Sequence, residues 1–356
     1  MKIDRARLLA EGGPFVNAIV SGAIGAGLAH LISAPMPWLL GTMAGTSIFS
    51  LTGRQVAVYQ PLRMAMISIL GVLLGSSFTP QFYAGLSDNL ITMLLLMLYT
   101  ILATGFVFVL LTRTTKIDRV TAFFSAVPGG VNEMTLMGTE RGGNEASLAV
   151  HHSLRLILVI FTVSVVFAIA FGYSRPSLSP SAIRLGSLTD YAWIGILAMT
   201  GVLLGRLVRL PAAFILGPMI VSATVHIAGF TDVKPDTVTV SIAQLICGAA
   251  LGARLTTLPR RALASAAVNA LKITVYLLAF TLLFVWGASY IVDRPFPVLL
   301  LAFAPGGLVE MGLIALSVGA DTAFVSVSQV TRFFIVVSIA MPLFKAVELL
   351  RARAAG

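Results

Sequence analysis

Pro128-Gly-Gly-Val-Asn-Glu-Met134 is the stretch that decides the fold, and it returns later in the chain as Pro305-Gly-Gly-Leu-Val-Glu-Met311. Both copies lie inside long apolar segments, where proline ends a helix and paired glycines destabilise one. Non-helical backbone at membrane depth is tolerated only where protein or a water-filled cavity covers it. Each motif therefore predicts either a broken transmembrane helix or a re-entrant hairpin.

The motif is one of several repeated blocks. Pro35-Met-Pro-Trp-Leu-Leu-Gly41 returns as Pro211-Ala-Ala-Phe-Ile-Leu-Gly217 at an offset of 176 residues, and Gly71-Val-Leu-Leu-Gly75 returns as Gly248-Ala-Ala-Leu-Gly252 at an offset of 177. Repeated motifs that stay in register over the whole chain indicate a tandem duplication. The predicted organisation is a first membrane repeat over 14–172, a polar linker over 173–189 and a second membrane repeat over 190–347.

The composition indicates that both repeats lie in a membrane. The 356 residues are 58% hydrophobic and 11% charged, with a mean hydropathy of +0.97, whereas soluble domains are about 25% charged. This composition excludes a soluble enzyme and a disordered regulator, and a single cysteine, Cys247, excludes a disulfide scaffold. We predict an all-α polytopic membrane protein with about ten spans plus the two Pro-Gly-Gly segments.

The net charge of +10 is interpreted as a signal of membrane topology, because Lys and Arg concentrate in cytoplasmic loops. If the fifth segment of each half re-enters, 17 basic residues lie inside and four outside; if it crosses, the numbers are 15 and six. The first count favours inverted repeats, as in many secondary transporters. No basic run has interleaved aromatic residues or a DNA-binding motif, so we expect no nucleic-acid partner.

Glu133 and Glu310 follow the two Pro-Gly-Gly motifs by one helical turn. An ionisable residue within an apolar span is expensive and functional by default, and the start of a helix near Val131 or Leu308 attracts anions. The alternative is that each glutamate pairs with an arginine and only pins a broken helix. The predicted site for substrate or ion comprises Pro128, Gly129, Gly130, Glu133, Arg155, Pro305, Gly306, Gly307, Glu310 and Arg332.

Arg155 and Arg332 occupy equivalent positions in the sixth apolar segments. Each helix is predicted to begin at a capping residue, Asn144 or Asp321, which places the arginine about 16 Å along the helix. A guanidinium at that depth must meet a carboxylate, backbone carbonyls or an anionic ligand. Pairing with the glutamate of the same half and contact with a ligand both remain open.

His151 and His152 are candidates for a proton relay beside Arg155, because a neutral imidazole in a polar cavity can pass protons. Packing is the alternative role, and the second half has Ser328 and Gln329 at these positions. Four histidines and one cysteine form no recognisable set of metal ligands. Walker, Rossmann and triad motifs are absent. We therefore predict no metal, no cofactor and no enzymatic activity.

The duplicated Pro-Gly-Gly-x-x-Glu-Met blocks, the Pro-x-x-(Trp/Phe)-(Leu/Ile)-Leu-Gly hairpins and the run His151-His-Ser-Leu-Arg155 resemble the AbrB-type bacterial integral membrane protein family. The resemblance covers nearly the whole chain and implies a multi-pass protein of the cell inner membrane with an internal duplication. Members are labelled as regulators of gene expression or as ammonia monooxygenases. The family is distantly similar to the cation:proton antiporter and anion transporter superfamily, with inverted repeats and crossed broken helices.

Three functions are compatible with these features. The favoured one is a secondary transporter of a small anionic or zwitterionic solute, with proton coupling through Glu133 or Glu310. Its expected partners are the lipid bilayer, the solute and further copies of the same chain in a homo-oligomer. The second is a membrane regulator that acts indirectly on gene expression, since short loops such as Arg113–Arg119 leave no room for an effector domain. The third, a membrane monooxygenase, is disfavoured because the chain offers no metal ligand set.

Overall fold

The computed structural model describes residues 5–79, 86–171, 185–257 and 260–355, and every regular element in these ranges is helical. The first half of the chain forms α1 (Arg5–Leu31), α2 (Pro37–Leu51), α3 (Gln60–Gly75), α4 (Leu86–Thr114), α5 (Arg119–Ala126), α6 (Val131–Thr139) and α7 (Glu145–Ala170). The second half forms α8 (Leu188–Leu207), α9 (Ala213–Ile227), α10 (Thr237–Ala253), α11 (Arg260–Ala288), α12 (Phe296–Phe303), α13 (Leu308–Ser317) and α14 (Thr322–Ala355).

The helices have the length and polarity of a polytopic membrane protein. Within the described ranges, seven helices are long and apolar enough to cross a membrane, from 12–31 near the N-terminus to 322–349. The helices α3, α9 and α13 are shorter and apolar. The predicted all-α polytopic architecture is thus confirmed. The predicted linker over 173–189 falls largely outside the described residues.

The fifth apolar segment of each half is broken at its Pro-Gly-Gly motif. The helix α5 ends at Ala126 and α6 begins at Val131, while α12 ends at Phe303 and α13 begins at Leu308. We call residues 127–130 the first break and residues 304–307 the second break. The four flanking helices have only 8 to 10 residues, or about 12–15 Å, so none of them crosses a bilayer core alone.

The chain forms two compact units, and each takes helices from both predicted repeats. Unit 1 comprises Met1–Ala84, Ser164–Thr257 and Gly312–Ala323, and unit 2 comprises Gly85–Val163, Leu258–Met311 and Phe324–Gly356. Both breaks and both intramembrane arginines therefore belong to unit 2. The division cuts across the repeats predicted over 14–172 and 190–347, and the duplication and its inversion stay predictions.

In unit 1, helices from one half of the chain pack against helices from the other half. The helix α2 packs against α1 and α10, and α9 packs against α8 and α3. The third helix of each half thus packs on the second helix of the other half. Two contacts need glycine, because a Cβ on Gly25 would overlap the backbone of Gly41 and a Cβ on Gly201 would overlap that of Pro218. Small residues allow this close packing of membrane helices.

The core of unit 2 encloses the first break in hydrophobic side chains. The buried cluster consists of Phe123, Phe124, Val127, Met134, Leu148, Val336, Ala340 and Phe344. The ring of Phe123 lies 5.3 Å from that of Phe124 and 5.1 Å from that of Phe344, centroid to centroid. These contacts hold α5 against α14. They also supply the protein cover that irregular backbone requires at membrane depth.

Candidate functional site

Arg155 reaches the first break from α7. Its side chain is 3% exposed, and its Nη1 and Nη2 atoms donate to the carbonyls of Val127 and Gly129, each at 2.7 Å. These carbonyls lie just beyond the last turn of α5, where backbone oxygens lack helical partners and the helix dipole is negative. The planar guanidinium suits two acceptors at once. Arg155 therefore replaces the hydrogen bonds that the break removes.

Arg332 makes the corresponding contacts at the second break. Its side chain is 5% exposed; Nη1 donates to the carbonyl of Ala304 and, at 3.4 Å, to that of Phe303, and Nη2 donates to Gly306 at 2.6 Å. The carbonyls of Ala304 and Gly306 follow those bound by Arg155 at the offset of 177 residues found in the sequence. The two arginines thus bind equivalent backbone groups.

Gln329 gives the second break a further set of hydrogen bonds. Its side-chain Nε2 donates to the carbonyls of Leu301, Ala302 and Ala304 at 2.7, 3.3 and 3.3 Å, and its Oε1 accepts from Arg332 Nη2 at 2.5 Å. The second break is therefore held by two side chains from α14. The equivalent position in α7 is His152, which offers no side-chain amide.

Backbone carbonyls, one of the three partners expected for a buried guanidinium, accept from both arginines. In the part of the chain that the structure describes, both Nη atoms of Arg155 donate to carbonyls while its Nε has no partner, and the Nη atoms of Arg332 donate to carbonyls and to Gln329. The physical reason is the polarity of the break. Carbonyls project from the last turn of its first helix, where the arginine binds, and the glutamate lies in the first turn of its second helix.

Glu133 and Glu310 fold back over the glycine that precedes their helix. A Cβ added to Gly130 would overlap Oε2 of Glu133, and one added to Gly307 would overlap Oε2 of Glu310. Gly130 is the N-cap of α6 and Glu133 lies in its first turn, so the carboxylate sits where the helix N-terminus favours negative charge. A side chain at the second glycine of either motif would displace the carboxylate from this position.

Tyr99 of α4 is a site residue that sequence reasoning missed. Its side chain is fully buried, its hydroxyl bonds with the Thr281 hydroxyl of α11 at 2.8 Å, and its ring meets Phe303 edge-on with centroids 5.6 Å apart. A tyrosine in an apolar span is usually a packing residue, so the sequence does not distinguish Tyr99 from other buried residues of α4.

His151 and His152 are buried, with 1% and 0% exposure. Nδ1 of His151 shares a hydrogen bond of 2.8 Å with Oγ of Ser125 on α5, and its Nε2 has no partner among the described residues. Ser125 lies two residues before Val127, so the His151–Ser125 pair adjoins the first break. This placement suits the predicted proton relay, which stays a prediction.

The described residues contain no group of three or more His, Cys, Asp and Glu side chains that could hold a metal ion. His226 of α9, for example, places Nδ1 at 2.8 Å from the Ser222 carbonyl and Nε2 at 2.9 Å from that of Val233. These contacts tie the end of α9 to the turn that follows.

Comparisons with known proteins cover most of the chain. The family model described as "Transition state regulatory protein AbrB" matches residues 38–348, which include both breaks. Protein YhjN of Bacillus subtilis (strain 168) is 24% identical over 295 residues, which cover 78% of this chain and 76% of that protein. The protein named "Putative regulator AbrB" of Escherichia coli (strain K12) is 26% identical over 305 residues, which cover 85% of this chain and 87% of that protein.

Proposed function

We propose that this chain, which belongs to the AbrB family, is a proton-coupled secondary transporter of a small anionic or zwitterionic solute that binds at the breaks. The observation that carries the proposal is the division of roles at each break. An arginine binds the carbonyl side, and a glutamate covers the amide side. The proposal includes a location in the bacterial inner membrane and no direct contact with nucleic acid.

Glu133 is one of the two glutamates to which the proposal assigns proton coupling. Because Arg155 directs its two Nη donors to carbonyls, no basic residue pairs with Glu133 in the part of the chain that the structure describes. An opposite charge nearby would hold a carboxyl group in its ionised form. The proposal therefore assigns the coupling proton to the carboxyl group of Glu133.

Protonation of Glu133 would change what the N-terminus of α6 can bind. The ionised carboxylate supplies the negative charge that this N-terminus favours. Once the carboxyl is neutral, the same backbone amides can accept a carboxylate or phosphate group from a solute. A proton and an anion would then bind together, and linkage requires that each raises the affinity for the other. That coupling is the condition for symport.

The test is solute uptake by purified protein in liposomes under a pH gradient. With mixtures of radiolabelled carboxylates, phosphates and amino acids outside at acid pH, we expect uptake of at least one class that stops when the gradient is dissipated. Joint substitution Glu133→Gln and Glu310→Gln should remove the pH dependence. Glu140→Gln is the matched control, because Glu140 is exposed at the C-cap of α6. Unchanged coupling in the double variant would refute the role of the two glutamates.

Indirect regulation of gene expression is a second candidate, favoured by the name of the Escherichia coli relative, "Putative regulator AbrB". The connection between α4 and α5 spans only residues 115–118, which is too short for a DNA-binding domain. If transport is primary, a transcriptional change in a strain lacking this protein should be restored by the parent chain and not by the double glutamine variant. Restoration by the variant, with a stoichiometric cytosolic partner captured on it, would favour the regulator.

A monooxygenase would require a metal centre, and the described residues contain no group of three or more His, Cys, Asp and Glu side chains that could hold one. Elemental analysis of the purified protein addresses this directly. Copper or iron at one or more atoms per chain would support the enzyme hypothesis. A separate experiment, crosslinking in native membranes, would establish whether the chain forms a homo-oligomer.

A further inference from the structure

A cavity of about 300 Å³ opens into unit 1, at residues that the proposed transport chemistry does not use. Ligand sites in proteins begin at about this size and are mostly apolar with a few convergent polar groups. The cavity lies at the start of α2 and α10 and along α13. Its apolar walls include Met36, Leu73, Val240, Leu313 and Leu316.

One face of α10 lines this cavity with polar side chains. Thr237, Ser241 and Gln244 are spaced four and three residues apart, so they share a helix face. Ser241 and Gln244 are half-buried and make no side-chain hydrogen bond within the described ranges. Half-buried polar groups that are not used by the protein are available to water or to a ligand.

The packing of the helices does not require these polar residues. At the offset of 177 residues, Ser241 corresponds to Met64 and Gln244 corresponds to Ile67 on α3. Apolar side chains therefore fill the same positions in the first half of the chain. The polar face of α10 is particular to this cavity.

The lining defines the chemistry of a ligand. It contains one histidine, His30, and no Asp, Glu, Lys or Arg, and a charge buried without a partner is costly, so the lining favours an uncharged ligand. Trp38 forms a half-buried aromatic wall, which favours a flat molecule. The side chain of Gln244 presents a donor and an acceptor side by side, and a carboxamide presents the complementary pair.

We propose that this cavity is a second binding site, which takes an uncharged planar molecule carrying a carboxamide or an equivalent donor–acceptor edge. Trp38 packs on its plane and Gln244 binds its polar edge, with Ser241 beside it. The site differs in ligand class from the breaks, where an anionic or zwitterionic solute is expected. Its occupancy does not depend on transport.

The experiment uses Trp38 as the reporter. The chain has three tryptophans, and Trp193 and Trp286 are 38% and 58% exposed, so both can be changed to Phe in the full-length protein. Three nitroaromatic quenchers of equal size are then titrated: 4-nitrobenzamide, 4-nitrotoluene and 4-nitrobenzoate. We expect saturable quenching by the amide, at concentrations where the other two give only the linear quenching seen with free tryptophan analogues in detergent.

Substitutions link the quenching to the polar face of α10. Gln244→Leu should weaken 4-nitrobenzamide binding about tenfold, the effect of one lost hydrogen bond, and Ser241→Ala should weaken it less. Gln60→Leu, at the equivalent position to Thr237 on α3 and exposed, should leave binding unchanged. Gel filtration and thermal unfolding identify any variant that misfolds, and Ser241→Ala then serves as the test.

Three results would overturn the proposal. Equal saturable quenching by 4-nitrotoluene that Gln244→Leu does not change would identify an apolar cavity for lipid or detergent tails. Strongest binding of 4-nitrobenzoate would identify an anion site at the start of α2. Linear quenching by all three compounds would show that no site exists.

Discussion

The two breaks share a sequence motif but are held by different numbers of side chains. At the first break, Arg155 donates to two carbonyls. At the second break, Arg332 donates to the equivalent two and to a third, and Gln329 donates to three. The first half has His152 in place of Gln329, and the neighbouring His151 shares a hydrogen bond with Ser125. We therefore expect the second break to have the higher local stability and the first break to unfold locally more easily.

Removing the arginines should have the largest effect and should separate the breaks most clearly. Arg155→Met removes the two side-chain hydrogen bonds to the carbonyls of Val127 and Gly129, and we expect a loss of about 3–6 kcal/mol in local stability, because hydrogen bonds from charged groups contribute about 1.5–3 kcal/mol each. After Arg332→Met, Gln329 still bonds Ala304. Hydrogen–deuterium exchange in nanodiscs should show greater loss of protection over 127–135 in the first variant than over 304–312 in the second.

Exchanging His152 and Gln329 between the two halves should make the local stability of the two breaks similar. His152→Gln provides the first break with a side-chain amide at the position equivalent to Gln329. One additional hydrogen bond contributes about 1 kcal/mol, so exchange over 127–135 should slow by roughly fivefold, and solute flux should fall. Gln329→His should have the opposite effect on 304–312. If neither substitution changes exchange, Gln329 does not account for the difference.

Ser125→Ala should have a smaller effect, confined to the first break. It removes the hydroxyl bound to His151 Nδ1, and the second half already has Ala302 at this position. We expect about 1 kcal/mol lower stability and a shifted pH profile of uptake if His151 relays protons. Ser68→Ala is the control, because that hydroxyl bonds only its own helix at the Met64 carbonyl. A pH profile identical to that of the parent would remove His151 from the proton path.

Asp236→Ala should have the smallest effect and should leave both breaks unchanged. Asp236 caps α10 by accepting from the amides of Val238 and Thr239 at 2.9 and 3.0 Å. Burial alone would raise its pKa, but hydrogen bonds from Thr239, Tyr191 and Val238 outweigh that effect and lower the pKa below 3.8.

Loss of this cap typically costs about 1 kcal/mol. Because the folded pKa of Asp236 is the lower one, the contribution is complete well above pH 3.8 and declines as the pH falls through the folded value. Thermal unfolding of parent and variant should therefore differ at pH 7, and the difference should shrink as the pH falls through the folded pKa of Asp236. A change in exchange at either break would show that α10 influences unit 2.

The helices and the breaks could be predicted from sequence because their causes are local. Proline and paired glycines interrupt a helix wherever they occur. Asn144 caps α7 as predicted, since its Oδ1 accepts from the Ser147 amide at 2.9 Å.

The partners of the arginines could not be predicted, because they depend on how distant segments fold together. A guanidinium accepts carboxylates and carbonyls alike, and only the fold shows that the carbonyl side of the break faces α7. Lys272 is a similar case: its Nζ donates to the carbonyl of Thr114 at the end of α4, at 3.2 Å. Tyr99 and Gln329 were missed because uncharged polar residues are common in helix interfaces.

The position of each arginine after its break has a consequence for biosynthesis. An arginine at the centre of a helix adds about 2.5–3.5 kcal/mol to the free energy of membrane insertion. The carbonyls of Val127 and Gly129 precede Arg155 by 28 and 26 residues, and those of Ala304 and Gly306 precede Arg332 by 28 and 26. On the ribosome, each half therefore makes its acceptors before the charged donor that needs them. A nascent chain can thus insert one half at a time, without holding a buried charge that has no partner.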